Sequence, residues 1–249
     1  MSPDKGKRPG AMLGWLIHLL TASGAVLALL ALAAVEDRDW NLAFLWLAAA
    51  LAIDGVDGTL ARMAKVRDRV PRIDGAVLDL VIDYLTYVFV PSLIIWRAGV
   101  LPEQLALPLA AAVQVSSLYV FARADMKTDD GYFRGFPALW NVVALYLFVT
   151  LPAPAVAAAI VAFLILASFA PIHFVHPFRV RDYGLWLPAI AIIWAAATVG
   201  LLWSGWSAAA RTALVLASAA AGIILIALGL VRSVRGPRQM LVPDGASVD

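Results

Sequence analysis

The sequence predicts an all-α integral membrane protein, a bundle of about eight transmembrane helices with both termini in the cytoplasm. Three observations carry that expectation. The 249-residue chain is 63% hydrophobic and 14% charged, with a mean hydropathy of +0.86, whereas a soluble domain is roughly 45–50% apolar and about 25% charged. Its apolar residues fall into runs of about 20, the length that crosses a bilayer as a helix. Its basic residues lie almost entirely on one side of the resulting topology. The net charge of +2 gives no support to a nucleic-acid partner, and the absence of cysteine excludes disulfides and thiolate metal sites.

The first run, 12–35, follows Lys5, Lys7 and Arg8 and ends in "ALAAV", in the manner of a signal peptide. It is a full bilayer span, longer than the roughly 7–15-residue core of such a peptide, so it is read as a retained first helix. The second and third runs, 40–62 and 76–97, are joined by the basic loop "MAKVRDRVPRI". The fourth covers 104–124. The runs 135–152 and 155–174 meet at "LPAPA", and 183–203 and 208–231 meet at "WSGWS", turns suited to helical hairpins. Residues 1–231 thus make one transmembrane domain without internal repeats. Residues 232–249 are a short polar, Pro- and Gly-containing tail expected to be disordered and cytoplasmic.

Charge tests that count. With eight spans, one side receives Lys5, Lys7, Arg8, Arg62, Lys65, Arg67, Arg69, Arg72, Arg123, Lys127, Arg134, Arg179, Arg181, Arg232, Arg235 and Arg238. The other receives only Arg38, Arg97 and Arg211. The basic side is the cytoplasmic one. Trp40, Trp96, Trp186, Trp203 and Trp206 lie near span ends, as interfacial anchors do.

Four aspartates interrupt the second and third runs. Asp54, Asp57, Gly58, Ala61 and Arg62 share one helical stripe of roughly 140°. Gly75, Asp79 and Asp83 form a second stripe, which Tyr87 extends by one turn. The short connection makes the two helices neighbours, so the carboxylates can meet in one pocket. Asp54 precedes Arg62 by about 12 Å of helix axis, which sets the pocket near the cytoplasmic headgroups. Clustered carboxylates repel, and a divalent cation resolves the repulsion. Oxygen-only ligands suit Mg²⁺ or Mn²⁺, and four of them suffice for two ions. Mg²⁺ commonly shares its coordination with substrate phosphates, Gly58, Ala61 and Gly75 leave room beside the acids, and Arg62 can pair with phosphate. Two other readings compete: aspartates that cap helices or pair with loop arginines, and a proton or cation relay in a cation-coupled transporter. A pure relay does not need Gly58, Ala61, Arg62 and Gly75.

The pattern Asp54-x2-Asp57-Gly58-x2-Ala61-Arg62 … Gly75-x3-Asp79-x3-Asp83 resembles the signature of the CDP-alcohol phosphotransferases. That resemblance implies a homodimeric membrane enzyme with two metal ions and a site facing the cytoplasm. It would move a phosphatidyl or related group from a CDP-linked donor to an alcohol and release CMP. The twelve residues between Arg62 and Gly75 are more than most of the family has. That spacer, with "DMKTDDGYFRGFPALWN" and "FVHPFRVRDYG", resembles the bacterial phosphatidylcholine synthase branch. The branch implies CDP-diacylglycerol and choline as substrates, and a multi-pass enzyme of the bacterial inner (cytoplasmic) membrane. Carried over, Asp54, Asp57 and Asp79 are metal ligands, and Asp83 is both a ligand of the second metal and the general base. Gly58, Ala61, Arg62 and Gly75 line the CMP and phosphate site.

A quaternary ammonium has no proton to donate and is held by aromatic faces and a nearby carboxylate. Tyr84, Tyr87, Tyr132 and Trp140 are the choline-binding candidates, with Phe133 and Phe136 beside them and Tyr87 preferred for its place on the aspartate stripe. Asn141 and the Asp129–Asp130 pair are weaker ones. His173 and His176 are expected to be structural residues at a helix end, and His18, with Thr21, to help close the nucleotide pocket. Other acceptors remain in play: serine, inositol or glycerol phosphate. A phosphorylated acceptor would require extra Arg or Lys, whereas an aromatic-rich site predicts choline.

Overall fold

The structure, a computed structural model, describes residues 10–203 and 205–237. Lys5, Lys7, Arg8 and residues 238–249 of the expected tail lie outside the described residues. The first two helices, α1 (Ala11–Glu36) and α2 (Trp40–Met63), form an antiparallel hairpin and pack along most of their length. Asp39 caps α2, its Oδ1 accepting from the Leu42 amide at 3.1 Å. The buried positions of α1 are mostly small: Gly14, Thr21, Gly24, Ala28, Ala31 and Ala34. Leu16, Leu19, Leu29 and Leu30 are exposed. In lipid the association of helices depends on close backbone approach, which such a stripe provides.

The basic loop holds a one-turn helix, α3 (Val66–Arg69). Next comes α4 (Gly75–Asp83), capped by Asp74, whose Oδ1 accepts from the amides of Ala76 and Val77 at 3.0 and 3.3 Å. It runs through a π-helical turn, Tyr84–Phe89, into α5 (Val90–Arg97), giving one continuous span, Gly75–Arg97. Pro91 has no amide hydrogen to bond the preceding turn, which accounts for the widened helix at this point. The chain continues through α6 (Glu103–Ala122), β1 (Tyr132–Arg134), α7 (Trp140–Thr150), α8 (Pro154–Ala167), β2 (His173–Val175), α9 (Trp186–Gly200) and α10 (Ala208–Arg235). The main core lies where α5, α6, α7 and α8 meet, around Ile94, Ile95, Val113, Val120, Trp140 and Val161. Trp194 and Tyr146 share a hydrogen bond of 2.9 Å, Thr198 and Ser218 one of 2.6 Å, and a bond from Tyr146 to Ser218 completes a polar network between α7, α9 and α10.

Every expected apolar run contains a helix. Among the described residues, five helices are long and apolar enough to cross a membrane: α1, α2, Gly75–Arg97, α6 and α10. Three are shorter, with 11, 14 and 15 residues. The protein is mostly helical, and the strand pair was not expected. The run starting at 135 becomes helical only at Trp140, because Gly135 and Ala138 adopt positive φ. The run 155–174 leaves the helix after Ala167, and its last residues pair with β1. The run starting at 183 is helical from Trp186, and the last helix passes 231 to end at Arg235.

The two strands are antiparallel, with Tyr132 opposite Val175, Phe133 opposite Phe174 and Arg134 opposite His173. The C-terminal end of α10 fixes this sheet. Arg232 Nε donates to Asp130 Oδ2 at 2.6 Å, and its guanidinium lies 5.6 Å from the Tyr132 ring centroid. The His173 amide donates to Ser233 Oγ at 2.6 Å. Gly229 meets the His173 backbone so closely that a Cβ there would sit 2.2 Å from the carbonyl oxygen. Gly229→Ala therefore forces the helix off the sheet, a repacking that costs about 1–3 kcal/mol. Its thermal unfolding midpoint in detergent should fall by several degrees; an unchanged midpoint would show that the docking is not tight.

Candidate active site

Asp54 and Asp57 project from α2, and Asp79 and Asp83 from α4. The stripe geometry holds in three dimensions: Asp54, Asp57 and Asp79 each present a carboxylate oxygen within 4.8 Å of the others. Asp57 is buried, Asp54 and Asp79 half-buried. Asp83 lies outside that triad, faces Asp54, and lines the same pocket. Thr21 and Gly24 from α1 complete the wall, with the Thr21 side chain directed at Asp57. A Cβ on Gly24 would lie 2.4 Å from the Ile82 side chain, so α1 can approach α4 here only with glycine.

These residues fit a hard divalent cation. The triad is all carboxylate oxygen, and an octahedral ion with ligands at about 2.0–2.1 Å holds opposite oxygens about 4 Å apart, a small contraction from the distances present. Asp54 is further oriented by Tyr87, whose hydroxyl donates to Asp54 Oδ2 at 2.6 Å.

The residues expected to cradle the nucleotide share the two acid-bearing helices but do not line the pocket itself. Arg62 is exposed at the end of α2 and donates to Thr59 Oγ1 at 2.9 Å. A Cβ on Gly58 would sit 3.4 Å from Arg62 Nη1, and one on Gly75 would sit 3.2 Å from His18 Cε1. Thus His18 packs on Gly75, and its Nε2 is buried without a hydrogen-bond partner among the described residues. Ala61 packs against Ile17, Ala64 and Val66.

Most of the aromatic candidates lie elsewhere. Tyr87 is buried against the carboxylates, but its hydroxyl is committed to Asp54. Tyr84 turns toward α6, donating to Gln114 and packing edge-on to Phe121. Tyr132 does not line the pocket; it is buried in a separate cluster, its ring face taken by Arg232. Trp140 is fully buried in the main core and donates to Ser117 Oγ at 2.9 Å. Phe136 packs edge-on to Trp140 and Phe174. Asp130 pairs with Arg232, and Asn141 Oδ1 accepts from the backbone amide of the following residue, Val142. His173 bonds Ser233, which joins it to α10.

Residue-by-residue reading missed a basic face near the acids. Lys127 precedes β1 and Arg179 follows β2, and both lie within electrostatic range of Asp79. Burial and the neighbouring Arg179 hold the Lys127 ammonium below its ordinary value, opposed by Asp83, Asp79 and Asp54. Burial, with Lys127 and Arg179 next, pushes His176 down to about 4, so this imidazole is neutral at neutral pH. Only the pairing of two distant segments assembles this face. The available signal was that "DMKTDDGYFRGFPALWN" and "FVHPFRVRDYG" stood out together.

The chain is 48% identical over 180 residues to the phosphatidylcholine synthase of Pseudomonas aeruginosa, a match covering 72% of this chain and 76% of that protein. It is 39% identical over 202 residues to that of Mesorhizobium japonicum, covering 78% and 74%. The Borreliella burgdorferi protein of the same name is 34% identical over 176 residues, covering 71% and 75%. The chain belongs to the phosphatidylcholine synthase family. No protein-family model matches it. The carboxylate pocket is accordingly the candidate active site of a phosphatidylcholine synthase family enzyme.

The Tyr87 hydrogen bond can be tested separately from the ring. Tyr87→Phe keeps the aromatic face and removes the donor to Asp54, a loss that typically weakens a metal site about tenfold or more. The Mn²⁺ concentration for half-maximal activity should rise about tenfold while the choline KM stays put. A changed choline KM at unchanged Mn²⁺ requirement would return Tyr87 to the acceptor site.

Proposed function

We propose that this chain transfers the phosphatidyl group of CDP-diacylglycerol to choline, giving phosphatidylcholine and CMP, in a divalent-metal-dependent reaction. The observation that carries this is the convergence of Asp54, Asp57 and Asp79 within 4.8 Å in a chain of the phosphatidylcholine synthase family. The choline oxygen attacks the phosphorus that bears the diacylglycerol. The bond from that phosphorus to the bridging oxygen breaks, and CMP leaves with the electron pair. Asp54, Asp57 and Asp79 would hold Mn²⁺ or Mg²⁺, with Asp83 contributing to a second ion. When bound, such ions offset charge on the phosphoryl oxygens and on the departing CMP. Asp83, outside the tight triad and lining the same pocket, would take the proton of the choline hydroxyl. Gly58, Ala61, Arg62 and Gly75 line the CMP side, and Tyr87 is the aromatic candidate beside the carboxylates.

The wider setting follows the same reading. The motif makes the chain a CDP-alcohol phosphotransferase, working as a homodimer in the bacterial inner membrane. Residues 1–231 act as one catalytic domain, and the three shorter helices complete eight crossings. The excess of basic residues at the motif end supports a pocket and both termini on the cytoplasmic side.

Purified protein given CDP-diacylglycerol, Mn²⁺ and labelled choline should form labelled phosphatidylcholine, with serine, inositol and glycerol phosphate unused. Preferred use of one of those alcohols would replace choline as the acceptor, and cation flux without CMP release would replace the transferase reading altogether. Asp79→Asn should reduce turnover to background while leaving the thermal midpoint of the protein near that of the unaltered chain. Full activity at saturating Mn²⁺ would remove Asp79 from the ligand set.

A further inference from the structure

We propose that Lys127 and Arg179, carried to the carboxylate pocket by the two-stranded sheet, bind the diphosphate of the nucleotide-linked donor. This rests on the reading of the pocket as a phosphatidyl-transfer site, and adds to it a second anion-binding element besides Arg62.

Both cations are held by the same small scaffold. Lys127 forms a backbone bridge to Phe133, and its Nζ lies 5.2 Å from the Phe133 ring centroid. That ring stacks on His176 at 5.3 Å and 9°. The turn at Gly131, with φ of +88°, packs onto the Arg179 backbone, where a Cβ would lie 3.1 Å from the carbonyl carbon. The sheet thereby brings two basic side chains, from residues far apart in sequence, within electrostatic range of each other and of Asp79 at the pocket.

Neither cation has a carboxylate at ion-pair distance among the described residues. Among the described residues, Arg123, Arg134 and Arg232 form ion pairs with Asp125 or Asp130, whereas Lys127 and Arg179 form none. Lys127 is half-buried, so its ammonium loses part of its hydration without gaining a carboxylate within bonding distance. Asp54, Asp79 and Asp83 are in electrostatic range of Lys127 but are residues that would be neutralised by divalent ions. With those charges cancelled, the anion left to be met is the diphosphate. Arg offers it a planar fork and Lys a point charge.

The test compares Lys127→Met, Lys127→Arg and Arg179→Gln with the unaltered protein. Lys127→Met and Arg179→Gln should each raise the KM for CDP-diacylglycerol by about tenfold to a hundredfold, the loss of one charge-assisted hydrogen bond. The choline KM should stay within about twofold. Lys127→Arg should recover most of the donor affinity. CDP binding to the protein without acceptor, measured by calorimetry, should weaken by a similar factor; this readout is independent of which alcohol reacts. Should Lys127→Met lower the thermal midpoint, Arg179→Gln decides. Unchanged CDP binding and donor KM in both variants, or a rise confined to choline, would overturn the proposal. Transfer to another alcohol with weakened CDP binding would overturn the choline reading and leave this one standing.

Discussion

Mutual repulsion of carboxylates is the constraint around which this bundle is built. Asp54, Asp57 and Asp79 sit within 4.8 Å of one another in a chain that has little polar volume elsewhere along these helices. Such a cluster cannot stabilise its own surroundings; something else must hold α2 and α4 together. That role falls to α1, which packs against both helices, and to the Asp39 and Asp74 caps, which fix where each acid-bearing helix begins. The Tyr87 hydroxyl satisfies one lone pair of Asp54 from within the same continuous span that carries Asp79 and Asp83. The site is therefore supported from three directions by neighbours that are themselves uncharged or capped.

A second tier of organisation lies at the opposite end of the chain. The helix α10 has few buried side chains of its own, yet its last turns hold the sheet through Arg232, Ser233 and Gly229. The sheet in turn holds Lys127 and Arg179 within electrostatic range of Asp79, with His176 beside the two cations. A C-terminal helix thus acts on a pocket formed by helices from the N-terminal third, through a scaffold only a few residues wide. The neutral His176 fits this arrangement, because a third positive charge beside Lys127 and Arg179 would oppose the other two.

How much of this was legible in the sequence depended on the range of the interaction. The aspartate stripes were readable because helical periodicity alone places i, i+3, i+4 and i+8 on one face, and a short connection makes the helices neighbours. The positions of the eight apolar runs were readable for a similar reason, since length and hydropathy are local. Where the helices stopped was not. The breaks at Gly135 and Ala138 and the strand at His173–Val175 follow from a pairing between segments some forty residues apart, roughly the kind of non-local contact that periodicity does not encode. Which aromatic rings are covered was likewise not legible. Tyr132 and Trp140 have the chemistry to hold a quaternary ammonium, but ring faces are recognition elements only when nothing else covers them. Here Arg232 and the main core cover them.

The small-residue face of α1 has a mechanical consequence. Where Gly24 meets Ile82 of α4 and Gly14 meets Val70 just past α3, the α1 backbone bears directly on a side chain, with no rotamer on the α1 side to adjust. A long side chain at such a contact would act as a spring, absorbing displacement by changing its torsions. Glycine supplies a hard stop instead. The spacing of the acids inherits that stiffness, so the ions they would bind meet a socket whose width is set by the covalent geometry of the main chain.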